Sequence, residues 1–468
     1  MSALRNKRNK GLTGLAALPR AISAFGGGIV AMAVAGGCGT EPPLPVPAAI
    51  MITPDSAILP RLGDTVQLTA TVQDMDGRTI SGSQVNWASG DESVVTVNTT
   101  GLVTAVGEGV APVRAAVGGV EARSMVTVDL QRGVLVRIYE AMGGSRWFYN
   151  RNWGTDEPLH SWWGVGTDEL GRVTRLSLNA NALTGTIPAE VGALEALQSL
   201  SLSTNGLTGP IPAELGNLRE LEWLVLGRNE LTGSIPPELG NLQQLRRLSL
   251  SGNELTGPIP PELGNLRALE DLSLHDNNLT GPIPPGLGNL RALDYLRLSG
   301  NELTGPIPPE LGNLEALEGL RLFGNELTGP IPPELGNLRA LVVLELYRNN
   351  LTGQIPPEFG NLQRLLWLTL FDNNLTGPVP PELGRIRDLT RLEIDNTALA
   401  GRLPRELIGI RRLSSPGSTG TKRISVPRPT RSFRSGWRRS TAARATGSVR
   451  PDAARPAEDP VRGASRVM

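Results

Sequence analysis

Cysteine, histidine and aromatic residues are scarce. The chain of 468 residues holds one cysteine, Cys38, two histidines, and 4% Phe, Trp and Tyr. A single cysteine excludes a disulfide framework and any multi-cysteine metal site, and two histidines leave little for a histidine-rich metal centre. Acid/base enzymes are therefore disfavoured, and no cofactor is expected. The apolar run from Ala21 to Gly37 is too short and too rich in glycine to span a membrane comfortably. What is present is 39% hydrophobic and 19% charged residues, which excludes a polyelectrolyte or a wholly disordered chain. The length is about three times that of a usual domain, so several units are expected. Gly 56 and Pro 38 make up about a fifth of the chain against roughly 12% ordinarily, which calls for frequent regular turns.

The charges balance at 45 basic and 45 acidic but are segregated. Five basic residues lie in 1–38, and 12 basic with 3 acidic in 413–468; this leaves 28 basic against 42 acidic between them, a net of −14. An acidic body repels nucleic acid, so the basic tail is the one candidate for binding it, and no nucleic-acid partner is expected. Residues 1–38 read as an export signal: Arg5, Lys7, Arg8, Lys10 and Arg20 precede the apolar run, which ends at Ala35-Gly36-Gly37-Cys38. That ending resembles a bacterial lipoprotein lipobox, which implies lipidation of Cys38, a new N-terminus there, and a membrane partner through the lipid anchor. Ala35 departs from the usual Leu, and the other reading is an ordinary signal peptide with an incidental cysteine. Residues 39–47, with Pro42, Pro43, Pro45 and Pro47, read as a stiff extended linker.

Residues 48–128 have the pattern of a small β domain. Apolar and polar residues alternate from Thr65 to Gln73, which predicts one half-buried strand, and Asp74-Met75-Asp76-Gly77 predicts a turn. Short strands are also predicted at 84–87, 94–97, 101–106 and 125–128. With Trp87-Ala88-Ser89 and Gly101-Leu102-Val103 at their spacing, the segment resembles the bacterial Ig-like group 2 domain. The resemblance implies a β-sandwich serving as a surface spacer or adhesion module, with Trp87 as a core plug.

A 24-residue repeat dominates the rest. Copies begin at 173, 197, 221, 245, 269, 293, 317, 341, 365 and 389, ten in all, ending near 412. The copy from Leu245 reads LRRLSLSGNELTGPIPPELGNLRA. This resembles the leucine-rich repeat, and its LTGxIPxxLGNL half the plant-type subclass. The implied fold is mostly β: an Ig-like sandwich followed by a solenoid with a parallel sheet on its concave face. Leu245, Leu248, Leu250, Leu255, Ile259, Leu263 and Leu266 should point inward, and Asn253 with its equivalents should form a buried ladder. Pro260, Pro261 and Gly264 predict 3₁₀ turns on the convex side.

Counting the first residue of a copy as position 0, positions 2, 4, 6 and 7 alternate with the leucines and are expected to face solvent. They carry Trp223, Tyr295, Phe323, Tyr347, Trp367 and Phe371, six of the seven aromatics within the repeats. Position 6 holds Phe323, Tyr347 and Phe371 in consecutive copies, which predicts a stacked ridge on strands about 4.8 Å apart. Arg297 and Arg321 should flank it at position 4, with Arg348 beside Asp372 at position 7. Exposed aromatics with arginine are enriched at binding hot spots, so these nine residues are the candidate ligand site. The alternative is that the aromatics only stiffen the sheet.

Residues 131–172 read as a cap. A helical pattern, Val134-Leu135-Ile138-Tyr139-Met142, ends at Gly143-Gly144, and Trp147, Phe148, Trp153, Trp162 and Trp163 follow as an expected cluster. The stretch through Asn152-Trp153 to Trp163-Gly164-Val165 resembles the N-terminal cap of leucine-rich repeat proteins. His160 and Gly166 stand where that family has cysteines, so tryptophan burial must seal the first repeat. His275 with Asp271, Asp276 and Ser273 permits a Ser-His-Asp arrangement to be imagined, but a sheet face supplies no oxyanion hole or dry pocket, and no catalysis is expected. The tail 413–468 reads as disordered and basic, either an out-of-frame product or an arm for anionic surfaces. The expectation is a lipid-anchored bacterial surface protein recognising a protein or glycan ligand; the other class is a structural or adhesive stalk without a specific ligand.

Overall fold

The computed structural model describes residues 45–401, 404–407 and 412–414. Cys38, the whole export signal, most of the proline-rich linker and nearly all of the basic tail lie outside the described residues.

The N-terminal domain has nine strands: β1 Ala49–Thr53, β2 Ser56–Leu59, β3 Thr65–Gln67, β4 Thr69–Gln73, β5 Asn86–Ser89, β6 Val95–Val97, β7 Leu102–Ala105, β8 Gly109–Val117 and β9 Val120–Val128. They form the sheets β2-β9-β8-β5, β3-β7-β6 and β1-β4. Small aliphatic residues fill the space between, with Leu68, Val95, Val103, Val113 and Val126 fully buried. The single strand predicted over 65–73 is in fact two. Residues 65–67 pair with β7 and 69–73 with β1. Leu68 marks the switch between sheets, and its N–H donates to the Gly101 carbonyl at 2.9 Å. Trp87 is half-buried rather than central. Its ring covers the spot where Gly101, at φ +82°, has no side chain; a Cβ there would lie 2.8 Å from the indole.

The cap helix α1, Leu130–Ala141, starts directly after β9, with the Asp129 carboxylate capping the Arg132 N–H. Gly143 at φ +72° ends it in the left-handed conformation that glycine adopts without strain. Trp147, Trp153 and Trp162 are buried, and Tyr139 joins their ring cluster, 5.2 Å from Trp147 and 6.0 Å from Trp153. Each indole N–H finds a backbone carbonyl: Met142 for Trp147, Trp163 for Trp153, and Glu157 for Trp162. Phe148 is not part of this cluster and stands 73% exposed, because the turn that buries Trp147 directs the next side chain outward.

The solenoid opens with β10, Val165–Thr167, antiparallel to β11, Val173–Ser177. From β11 onward one parallel strand per copy continues the sheet through Arg391–Glu393. A further strand, Arg412–Ser414, pairs with that last one. Leu413 and Ser414, read from sequence as the start of the tail, therefore extend the sheet. Pairing of this kind uses backbone groups and does not need the repeat consensus. The inward leucines form one continuous core from Leu135 to Leu407. The convex side carries 3₁₀ turns such as Pro261–Asn265. A second parallel sheet of eight strands, from Thr184–Thr186 to Asn350–Thr352, flanks the first. Its Glu/Asn-Leu-Thr-Gly-Pro segments are too short to show an alternation in sequence.

The asparagine ladder holds successive coils together. Asn277 donates to the Leu250 and Leu274 carbonyls, both at 3.1 Å, and accepts from the Leu255 N–H at 3.1 Å. The same pattern recurs at Asn229, Asn253, Asn301, Asn325, Asn349 and Asn373. In the tenth copy Thr397 keeps one bond, to the Ile394 carbonyl at 2.8 Å.

Candidate ligand-binding face

Strict repetition places equivalent positions of neighbouring copies directly across the parallel ladder: Tyr295 pairs with Gly319, Val343 with Trp367, and Glu345 with Thr369. Position 6 lies just beyond each strand end. There Phe323 and Tyr347 stack with centroids 4.4 Å apart and planes 7° apart, and Tyr347 and Phe371 at 4.3 Å and 13°. The three rings form one continuous stack. Position 7 is left-handed in every copy, non-glycine residues included, among them Arg348 at φ +54° and Asp372 at φ +54°. Such backbone costs on the order of 1 kcal/mol per non-glycine residue and is held by the packed coil on either side. It sets Arg348 and Asp372 side by side, 3.5 Å apart.

The arginines differ from expectation. Arg321 does not reach outward; its Nε contacts Glu345 of the next copy at 3.0 Å, with both side chains largely buried. Arg297 turns away from the ridge, donating to Asp271 at 2.7 Å and Ser273 at 3.1 Å while lying 4.6 Å from the centre of the Tyr295 ring. An acidic residue one copy away at the same face is the reason in each case. Burial pushes the Glu345 carboxyl up, against the opposing pull of Arg321. Burial and nearby Glu345 also push the Tyr347 hydroxyl up, so it stays a neutral donor.

Not all of positions 2 and 4 face solvent, as the alternation implies they should. Val343 is 5% exposed and Thr369 is fully buried, because the long neighbours of adjacent copies lean over the short ones. On copies seven to nine, Arg321, Glu345 and Thr369 at position 4 lie in one row across the sheet, with the ring stack of Phe323, Tyr347 and Phe371 at position 6 and Val343 and Trp367 at position 2. Glu345, Val343 and Thr369 were not singled out from sequence; reading down a column of equivalent positions, rather than along a copy, would have found them. Tyr295, on copy six, donates its hydroxyl to Glu318 at 3.0 Å. Trp223, 41% exposed, stands apart on the third copy and is not brought to the ridge.

The imagined triad is not assembled. Ser273 donates to Asp271 at 3.0 Å, while His275 Nε2 lies 3.9 Å from Asp276 and its Nδ1 is buried without a partner. Burial pushes the imidazole down, toward its neutral form. Among the described residues no group of His, Cys, Asp and Glu could hold a metal ion, and no helix is long and apolar enough to cross a membrane.

Comparison with known proteins agrees with this architecture. Residues 48–128 match the bacterial Ig-like domain (group 2). Residues 236–350 match the leucine-rich repeat region, with leucine rich repeat matches also over 197–255 and 340–362. The chain thus carries an Ig-like domain and leucine-rich repeats. Among solved structures it is similar to the ectodomain of the receptor kinase GASSHO1/SCHENGEN3 from Arabidopsis thaliana, in complex with CASPARIAN STRIP INTEGRITY FACTOR 2. That likeness has 40% identity and a TM-score of 0.55 over 60% of this chain and 34% of that one. The Arabidopsis receptor kinase HAESA ectodomain, in complex with an N-terminal extended IDA peptide hormone ligand, matches at 34% identity and TM-score 0.54 over 63% of this chain and 49% of that one. A plant ice-binding protein matches at 29% identity and TM-score 0.52 over 63% of this chain and 97% of that one. The chain spans between about a third and a half of the receptor ectodomains it resembles. No curated protein matches it.

Proposed function

We propose that this is an exported, lipid-anchored bacterial surface protein that recognises a protein or glycan on the concave face of its solenoid, over copies seven to nine. The observation that carries the reading is the continuous stack of Phe323, Tyr347 and Phe371, a contiguous aromatic patch with arginines beside it. The receptor ectodomains similar to it have peptide or protein ligands in their structures, which supports a binding role for such a solenoid. Repeat solenoids and receptor ectodomains of this kind are typically not enzymes, and the proposed role requires no catalysis.

The test compares Tyr347→Ala with Ser251→Ala, at the equivalent position four copies earlier, in the full chain against hits from a protein and glycan array. Losing one hot-spot aromatic should weaken binding by at least about 2 kcal/mol, some thirtyfold. Equal binding by both variants, with a sharply lower melting temperature for Tyr347→Ala, would make the aromatics sheet stiffeners and the protein a stalk. Anchoring is tested separately. Cells fed a palmitate analogue should label the protein, and Cys38→Ser should abolish the label; unchanged labelling and membrane retention of that variant contradict the anchor.

A further inference from the structure

The cap carries an aromatic patch of its own. In the loop Arg146-Trp147-Phe148-Tyr149-Asn150-Arg151 the Trp147 ring is buried, yet Phe148 is 73% and Tyr149 56% exposed. Their backbone is held from below. The Phe148 N–H donates to the Asn181 carbonyl at 3.3 Å and the Tyr149 N–H to Asn181 Oδ1 at 2.7 Å, while Asn181 Nδ2 donates to the Tyr149 carbonyl at 2.9 Å. Asn181 is itself fully buried, so the loop cannot sink to hide its rings. Trp163, packed on the core, backs the Tyr149 ring at 5.0 Å and 22°, and its N–H donates to the Arg151 carbonyl. Among the described residues no further ring covers the outer face of Tyr149 or either face of Phe148. Arg151 is exposed, Arg146 donates to the Thr184 hydroxyl at 2.9 Å, and neither has an ion-pair partner among the described residues.

Open ring faces beside unpaired cations fit one chemistry. Sugars dock their C–H groups on an aromatic face, where the quadrupole is negative, and a sugar carboxylate pairs with a guanidinium. An anionic membrane also offers charge, but it would face the whole body, whose 28 basic and 42 acidic residues leave a net of −14; a single chain meets only the loop. We infer that the loop 146–151 binds an acidic carbohydrate chain, with sugar rings on Phe148 and Tyr149 and a sugar carboxylate at Arg151. This site lies ahead of the first copy, six copies before the one that carries Phe323, and does not depend on the ridge. In the test, the full chain is probed on an array of uronate-containing and matching neutral oligosaccharides, and in parallel with vesicles of phosphatidylglycerol and of phosphatidylcholine. Uronate chains should bind in preference to neutral ones, less tightly as salt rises. Phe148→Ala and Arg151→Gln should each weaken the best of them by about tenfold at an unchanged melting temperature. Tyr149→Phe, which keeps the ring, and Tyr347→Ala, on the ridge, should leave it unaltered. Failure of every uronate chain to bind, equal binding of neutral chains, indifference to Phe148 and Arg151, or loss with Tyr347→Ala overturns the inference. Vesicle association that disappears in Phe148→Ala and Arg151→Gln, without uronate binding, replaces it with a membrane contact.

Discussion

Asn277 illustrates how one side chain closes a coil. Replacing it with leucine leaves the Leu255 N–H without its side-chain acceptor in the core and takes one of two amide donors from each of the Leu250 and Leu274 carbonyls, which keep Asn253 and Asn301, at a cost of roughly 1 to 3 kcal/mol. Urea denaturation of Asn277→Leu should show a lower midpoint; an unchanged midpoint contradicts the ladder's role. Gly264 matters for space rather than backbone freedom. A Cβ there would sit 2.5 Å from the Gly286 carbonyl of the next turn, so Gly264→Ala should destabilise by about 1 to 3 kcal/mol of overpacking. Tyr295 gives the chain an alkaline signature. Burial and the bond to Glu318 push its hydroxyl up from 10.0 to about 12. A folded value raised above the unfolded one means stability fully present below pH 10.0 and lost as pH rises toward about 12. The melting temperature should fall more steeply across that window in the parent than in Tyr295→Phe; parallel curves would refute the assignment. At this scale the ladder and the ridge were legible in sequence, because each recurs at a fixed spacing. The pairing of Arg321 and the burial of Thr369 were not, since both depend on side-chain lengths one copy away.

Among elements, the cap depends on one buried cation. Arg132, 7% exposed, bonds Asp129 and the Thr155 and Glu157 carbonyls, and its guanidinium lies 5.4 Å from the Trp162 ring centre. Arg132→Ala would strand those acceptors, and a loss of about 3 kcal/mol is expected, read as earlier unfolding by tryptophan fluorescence. A fluorescence transition coincident with the parent's would show the indoles alone seal the cap. The helix and the tryptophan cluster could be read from periodicity and composition. The strand switch at Leu68 could not, because alternation is the same whether a strand stays in one sheet or crosses to another. The second solenoid sheet was hidden for a related reason: its strands are too short for a period to register.

At the level of the whole molecule, sandwich and solenoid meet without a linker. Leu130, the first residue of α1, packs against the sandwich core, and the Asp129 N–H donates to the Leu59 carbonyl at 3.0 Å. Gly133 lets the helix approach Pro60 so closely that a Cβ would fall 2.0 Å from its carbonyl oxygen. Gly133→Val should pry this joint apart. Calorimetry should then resolve two transitions where the parent gives one, and a single unshifted transition would show that the domains melt independently of the contact.

The sameness of the copies has a genetic consequence. The fourteen residues beginning at Asn253, Asn301 and Asn325 are identical, NELTGPIPPELGNL, and each ladder asparagine bonds its neighbours in the same way. Unequal crossing-over between such stretches would add or remove whole multiples of 24 residues and leave no hydrogen bond orphaned. Natural alleles should therefore differ in copy number far more readily than by small insertions inside a copy. An exchange between the stretches at Asn253 and Asn301 lies wholly before Phe323 and would carry the ridge bodily along the solenoid, whereas one involving Asn325 would duplicate or delete Phe323 itself, so that the position of the ridge and its length would evolve by separate events.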